Sequence, residues 1–286
     1  MKSFSTLTNE LHNFSKHVDP KWQGKYLREI TPSDISSIVH EGLKGKSQQT
    51  KKHLVCQIRS AFRLAIELGY ADKDPTEHIR IKVEKFNRQL PTSSDLRRLV
   101  ETAKDLKLPM YPLMHFLLLT GCRSGEAFAL DWSAVDFEGE VIHIRRNWTR
   151  RGGFKNFTKN KSHRQVPINE ELKELLNYLR PLTSQTEERF VLHSIREWTN
   201  GEIGKSLRLF MQGLGMTPTT LHGLRAAFIT EMLKSGADIP TIMRIVGHKT
   251  LETCTRYVSL SGVELRDKTK KLSFLNRENE SEHKAA

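Results

Sequence analysis

Residues 82–92 interrupt the chain with a basic, polar stretch that has little apolar periodicity and carries Pro91, the pattern of an interdomain linker. Whatever lies on either side must therefore bury a core of its own. Setting the boundary at 89/90 predicts a small module over residues 1–89 and a larger one over residues 90–286. Either length is enough for a domain.

The smaller module reads as helical. Its clearest helix spans residues 47–68, where Leu54, Ile58, Ala61, Phe62 and Ala65 recur at three- and four-residue steps and form one apolar stripe, with Gly69 as the stop. Thr31-Pro32-Ser33-Asp34 ahead of Ile35 marks another helix start. On a second face of the long helix stand Gln48, Lys52, Arg59 and Arg63, a row of donors that suits DNA phosphates or is simply a solvated face.

Charge narrows the partners. Lys and Arg number 46 against 33 acids, a formal +13 with a pI near 9.7, and residues 1–89 alone hold 16 basic and 10 acidic residues. A basic surface of that size points to a polyanion, most often nucleic acid. No apolar run reaches membrane-spanning length, and the N-terminus lacks a signal-peptide core, so the cytoplasm is the expected compartment. Cys56, Cys122 and Cys254 are odd in number and scattered, which excludes a disulfide framework or a thiolate zinc site.

In the larger module a helix N-cap is expected at Ser94-Asp95. A buried helix follows over residues 113–119, broken by Gly121, and then another over 126–132. Residues 140–148 read as one strand, 151–153 as a turn, and 159–167 as the returning hairpin partner. Helical patterns cover roughly 169–180, 202–213, 220–235, 239–246 and 250–259, and residues 276–286 read as a frayed polar end.

Singly, the polar motifs are ordinary. Arg123 sits at the mouth of a helix, where backbone amides and a guanidinium can hold a phosphate, or merely cap a turn. His222 and Arg225 are three apart on one helical face, a spacing that fits an anion and no metal. Gly247-His248 follows a short apolar helix, and Tyr257 lies nine residues on.

Together they are specific. Thr120-Gly121-Cys122-Arg123-Ser124-Gly125-Glu126, then a basic hairpin, then Leu221-His222-Gly223-Leu224-Arg225, then the segment from Val246-Gly247-His248 to Arg256-Tyr257 follow one another in the order and spacing of the tyrosine recombinase (phage integrase) family. The chain resembles that family closely over about residues 90–260, and more loosely in the helical module, which looks like a core-binding domain. Val246 stands where leucine is usual before Gly-His.

The resemblance implies a mostly α fold with a small antiparallel β-sheet. A helical core-DNA-binding domain (1–89) and an α+β catalytic domain with a C-terminal tail (90–286) would form a two-domain clamp on DNA. It implies a DNA strand transferase that uses no metal and no other cofactor. Cutting a phosphodiester without a metal demands a nucleophile, an acid for the leaving oxygen, and donors around the charged phosphorane. The matching residues are Tyr257 as nucleophile, Arg123 and Arg225 as clamps, and His222 and His248 as hydrogen-bonding groups, with His222 the better proton acceptor and Glu126 an acidic helper. The hairpin offers two lysines for the acid. Lys159 lies eight residues before Pro167, the family's position, and Lys161 shares its strand face as the alternative or as a DNA contact.

Further implied are double-stranded core sites as partner, a homotetramer on DNA, and accessory bending or directionality proteins. No room is found for a further arm-binding domain, and a basic segment over 265–272 is expected to pack on a neighbour or on its own domain. Two other readings remain at this point: a type IB topoisomerase, which a relaxation assay without paired sites separates, and a non-catalytic DNA-binding protein on the same fold.

Overall fold

The computed structural model describes residues 4–83, 89–149, 152–157, 163–183, 190–192, 202–252, 254, 257 and 258. Lys159 and Lys161, the basic segment 265–272 and the polar end 276–286 lie outside them. The chain divides into two compact units, Met1–Arg88 and Gln89–Ala286.

The first unit is helical: α1 (Phe4–His17), α2 (Asp19–Trp22), α3 (Pro32–Ser37) and the long α4 (Gln48–Glu67). Thr31 and Asp34 cap α3 reciprocally, each side chain bonding the other's backbone N–H. Ser47 caps α4 by accepting from the Thr50 amide, and the chain leaves the helix through Gly69 at φ 75°. Leu54, Ile58, Phe62 and Ala65 face the core as the periodicity predicts. Ala61 does not: it is exposed, and Val55 and Gln57 are buried instead, because the stripe drifts round the helix toward the neighbours that cover it.

In the second unit α5 (Ser93–Asp105) is capped by Thr92, two residues before the expected position, since Thr92 and Asp95 complete a capping box there. The helix α6 (Tyr111–Thr120) is buried almost throughout and ends at Gly121, φ 60°. A Cβ at Gly121 would lie 2.3 Å from the Phe228 ring, so this turn requires glycine for both its backbone angle and its space. Next, α7 (Ser124–Phe128) is shorter than the expected 126–132 helix and gives way to a 3-10 turn, Trp132–Ala134.

The single strand expected over 140–148 is two strands. In one sheet β1 (Val135–Asp136), β2 (Val141–Ile144) and β5 (Arg164–Pro167) pair antiparallel in the order β1-β2-β5. In the other β3 (Asn147–Thr149) pairs with β4 (Gly153–Lys155). The physical reason is Arg146. Ile142 and Ile144 face the core, so an unbroken strand would carry Arg146 inward after them. Instead the chain turns out at two exposed arginines, and Arg146 Nη1 pairs with Asp131. The register of β2 on β5 sets Ile142 against Val166 and Ile144 against Arg164.

Four further helices complete the unit: α8 (Glu170–Thr183), α9 (Glu202–Gly213), α10 (Leu221–Lys234) and α11 (Ile239–Val246). Thr220 and Asp238 cap the last two. Helix α10 packs on α6, and α11 packs on β5. Beyond α11, the described residues Leu251, Glu252, Cys254, Tyr257 and Val258 are helical. Among the described residues no helix is long and apolar enough to cross a membrane.

Candidate active site

Arg123 occupies the N-cap position of α7, directly after the Gly121 turn. Its own backbone N–H donates to Glu126 Oε2 at 2.9 Å, while its Nη1 donates to Oε1 at 2.8 Å. Glu126 is therefore both helix cap and tether for the Arg123 guanidinium. Its side chain is fully buried and takes a second cation, Arg164 Nη2, at 2.6 Å. Burial alone would raise the Glu126 carboxyl, but Arg164 and then Arg123 more than offset it and hold it below its ordinary value.

Arg164 escaped the sequence reading. From β5 it sends Nη2 to Glu126 and to Cys122 Sγ (3.6 Å), and Nε to the Ile245 carbonyl at 2.7 Å, near the end of α11. Burial opposes its charge, yet Cys122 and Glu126 keep it protonated above its ordinary value. One signal was available: alternation in β5 puts 164 and 166 on the buried face, and a cation there demands a buried partner.

Arg225, on α10, is 1% exposed, the largest fully buried side chain among the described residues. Its Nη1 donates to the Gly121 carbonyl and its Nη2 to the Val246 carbonyl, so it ties the Arg123 turn to the end of α11. Among the described residues its Nε has no acceptor. Burial, followed by repulsion from Arg123, pushes its pKa down to about 10. His222 lies three residues earlier on the same helix and is exposed.

Gly247 ends α11 at φ 71°, where a Cβ would sit 3.1 Å from Arg164 Cδ. The turn delivers His248. Its imidazole stacks beside Tyr257, ring centroids 6.2 Å apart and planes 16° from parallel, and its Nδ1 lies 3.1 Å from Cys254 Sγ. Burial first, then Arg225, Arg123, His222 and Arg164, lower its pKa to about 4, so the ring is neutral at physiological pH. Tyr257 is 9% exposed and packs on Ala226, Ile229, Ile242 and Val246. Among the described residues no group of three or more His, Cys, Asp or Glu is placed to hold a metal ion.

In the first unit Gln48, Lys52 and Arg63 are exposed on α4. Arg59 corrects the expected donor row. Its Nε donates to Thr76 Oγ1 (3.0 Å) and its Nη2 to the carbonyls of Thr76 (2.7 Å) and Ile79 (3.1 Å). Three of its five donors are thus committed to fastening the segment after α4 rather than facing a phosphate.

Three arginines and His222 thus lie close enough to His248 to disfavour its protonation, His248 stacks beside Tyr257, and a buried carboxylate holds Arg123 in place. The chain belongs to the phage integrase family, whose model it matches over residues 90–262. It is 25% identical to the tyrosine recombinase XerD of Staphylococcus haemolyticus over 253 residues, covering 84% of this chain and 80% of the relative. It is 29% identical to XerC of Roseiflexus castenholzii, covering 82% and 75%. Among solved structures it is similar to the Tn1549 transposon integrase in complex with a circular intermediate DNA (TM-score 0.74, 17% identity, 90% of each chain). A lambda integrase dimer bound to a COC' core site is also similar (TM-score 0.75, 17% identity, 96% of this chain and 76% of that one). The chain is a site-specific tyrosine recombinase, an enzyme that cleaves and rejoins DNA strands without a metal.

Proposed function

We propose that Tyr257 attacks the scissile phosphorus of duplex DNA, forming a 3′-phosphotyrosine while the departing O5′ takes a proton and leaves as a hydroxyl. The new ester conserves the energy of the broken one, so attack by a 5′-hydroxyl of a partner strand reverses the step without ATP. Arg123 and Arg225 hold the non-bridging oxygens as charge builds on the phosphorane. His248, neutral beside the nucleophile, donates a hydrogen bond, and His222 exchanges the proton of Tyr257. Lys159, with Lys161 as alternative, protonates O5′.

The observation that carries this reading is the crowding at His248. Arg123, Arg164, Arg225 and His222 are all near enough to disfavour its protonation, and its ring lies against Tyr257. A concentration of positive charge beside a phenol is what a phosphoryl transfer needs. Among the described residues Arg225 Nε has no acceptor, which adds support, because a buried donor without one costs about 1–3 kcal/mol and an incoming phosphate oxygen would remove that penalty.

Under the same proposal the unit before residue 89 is the core-DNA-binding domain and grips phosphates through Gln48, Lys52 and Arg63. The active assembly is a homotetramer on paired core sites, serving integration and excision or the resolution of DNA in the cytoplasm at the nucleoid. A lambda integrase tetramer bound to a Holliday junction shares the fold (TM-score 0.69, 18% identity, 87% of this chain and 73% of that one) and makes four copies a reasonable stoichiometry. Accessory bending or directionality proteins would act on this assembly. The test is a nicked suicide substrate: the wild type should trap as a covalent protein–DNA adduct, and Tyr257→Phe should bind the DNA equally well and trap none. Adducts formed by Tyr257→Phe would refute the assignment.

A further inference from the structure

We propose that Cys254 is a positioning residue for His248: its thiol donates to Nδ1, and this fixes the imidazole as the tautomer that presents Nε2–H to the DNA phosphate. The inference rests on the reading of His248 as a phosphate donor given above.

The geometry is direct. Cys254 Sγ lies 3.1 Å from Nδ1, and Cys254 is buried, at 2% exposure, against a half-buried His248. The cations and imidazole around His248 come from three places: Arg225 and His222 on α10, Arg123 ahead of α7, and Arg164 on β5. Together with burial they keep the ring neutral, which leaves it one N–H and one lone pair. Burial also raises the Cys254 thiol above its ordinary value, so it keeps its proton. Two neutral groups in contact must then choose a direction. Sulfur is a weak acceptor and an imidazole nitrogen a strong one, which favours Sγ–H donating to Nδ1. The ring proton is thereby placed on Nε2.

The choice matters because a phosphate accepts and cannot donate. A ring protonated on Nδ1 would turn a lone pair toward the phosphate and repel it. The surrounding arginines would themselves draw the ring's lone pair toward them, so a donor at Nδ1 is what holds the proton on Nε2. Cys254 also precedes Tyr257 by three residues in the sequence, and both are helical.

The experiment uses the full chain labelled with ¹⁵N-histidine. Long-range ¹H–¹⁵N NMR should report the Nε2–H tautomer for His248 in the wild type and in Cys254→Ser, whose hydroxyl also donates, and a mixture or the Nδ1–H form in Cys254→Ala. Single-turnover cleavage on the suicide substrate should fall about tenfold in Cys254→Ala, the scale of one hydrogen bond, and be largely restored in Cys254→Ser. In a His248→Ala background Cys254→Ala should cost nothing further, whereas a purely structural role would cost the same in both backgrounds. An Nδ1–H wild type, or equal losses in the two backgrounds, overturns the proposal while leaving the recombinase reading intact. Normal cleavage by His248→Ala with an Nε2–H wild type would instead overturn the donor role assigned to His248 above.

Discussion

Arg164→Met removes the charge from the centre of the site while keeping an apolar stem of similar reach. In the wild type Arg164 and Glu126 are 2.6 Å apart with side-chain exposures of 6% and 0%, so the pair is buried on both sides. Deleting one member of such a pair leaves an under-compensated charge and costs about 3–5 kcal/mol. In a unit of this size that lowers the melting temperature by roughly 10 °C. The loss should depend on pH with a definite sign. Glu126 is held below its ordinary 4.5 in the folded wild type, so it stabilises the fold above that pH and loses this contribution as pH falls through the depressed value. Without Arg164, burial, the strongest influence on Glu126 and one that raises its pKa, is opposed by Arg123. The folded variant then binds the proton more tightly than the unfolded chain, and its stability declines as pH rises. The gap between wild type and variant should thus widen from about pH 4 to about pH 7.5. Adding Glu126→Gln to Arg164→Met should recover part of it, since no buried carboxylate is then left under-paired. Urea unfolding of the wild type and the two variants at both pH values decides the matter. A gap below about 1 kcal/mol, or one that does not change with pH, would show that the pair is not the buried unit described.

Lys159→Ala should slow cleavage of an ordinary phosphodiester far more than of one with a 5′-thio leaving group, which departs without a proton; rescue seen only with Lys161→Ala would shift the hairpin assignment by two residues. Lys52→Ala and Arg63→Ala should each reduce the slope of log affinity against log salt by about one, measured by fluorescence anisotropy, with unchanged slopes arguing for a solvated face. Arg59→Ala should instead lower the melting temperature of the first unit, because it releases Thr76 and Ile79, and should leave the salt slope unchanged.

Much of the proposed site could be read from the order of residues. Arg123, His222-x-x-Arg225, Gly247-His248 and Tyr257 have recognisable spacing, and helix ends such as Gly121, Gly69 and Thr31-Pro32 are local devices that need no distant partner. The apolar steps of α4 and the limits of α9 and α11 follow from the same local periodicity. Periodicity fails where a side chain's role is set by what it meets far away in sequence. Arg59 belonged to a plausible donor row until Thr76 and Ile79 closed on it. Ile142 and Ile144 promised a longer strand, but carrying it on to Arg146 would have buried a charge, so the sheet broke in two. Arg164 and Cys254 have no motif of their own. Pairing of β5 with β2, the seating of α11 on β5 and the return of the last helical turn bring them to Glu126 and His248. Sequence therefore nominated the groups to which the chemistry is assigned in the proposal and set the helix ends, because motif spacing and helix caps are written locally. Tertiary structure alone decided which buried partners hold those groups in place, because burial makes each charge and lone pair answer to its nearest neighbour in space.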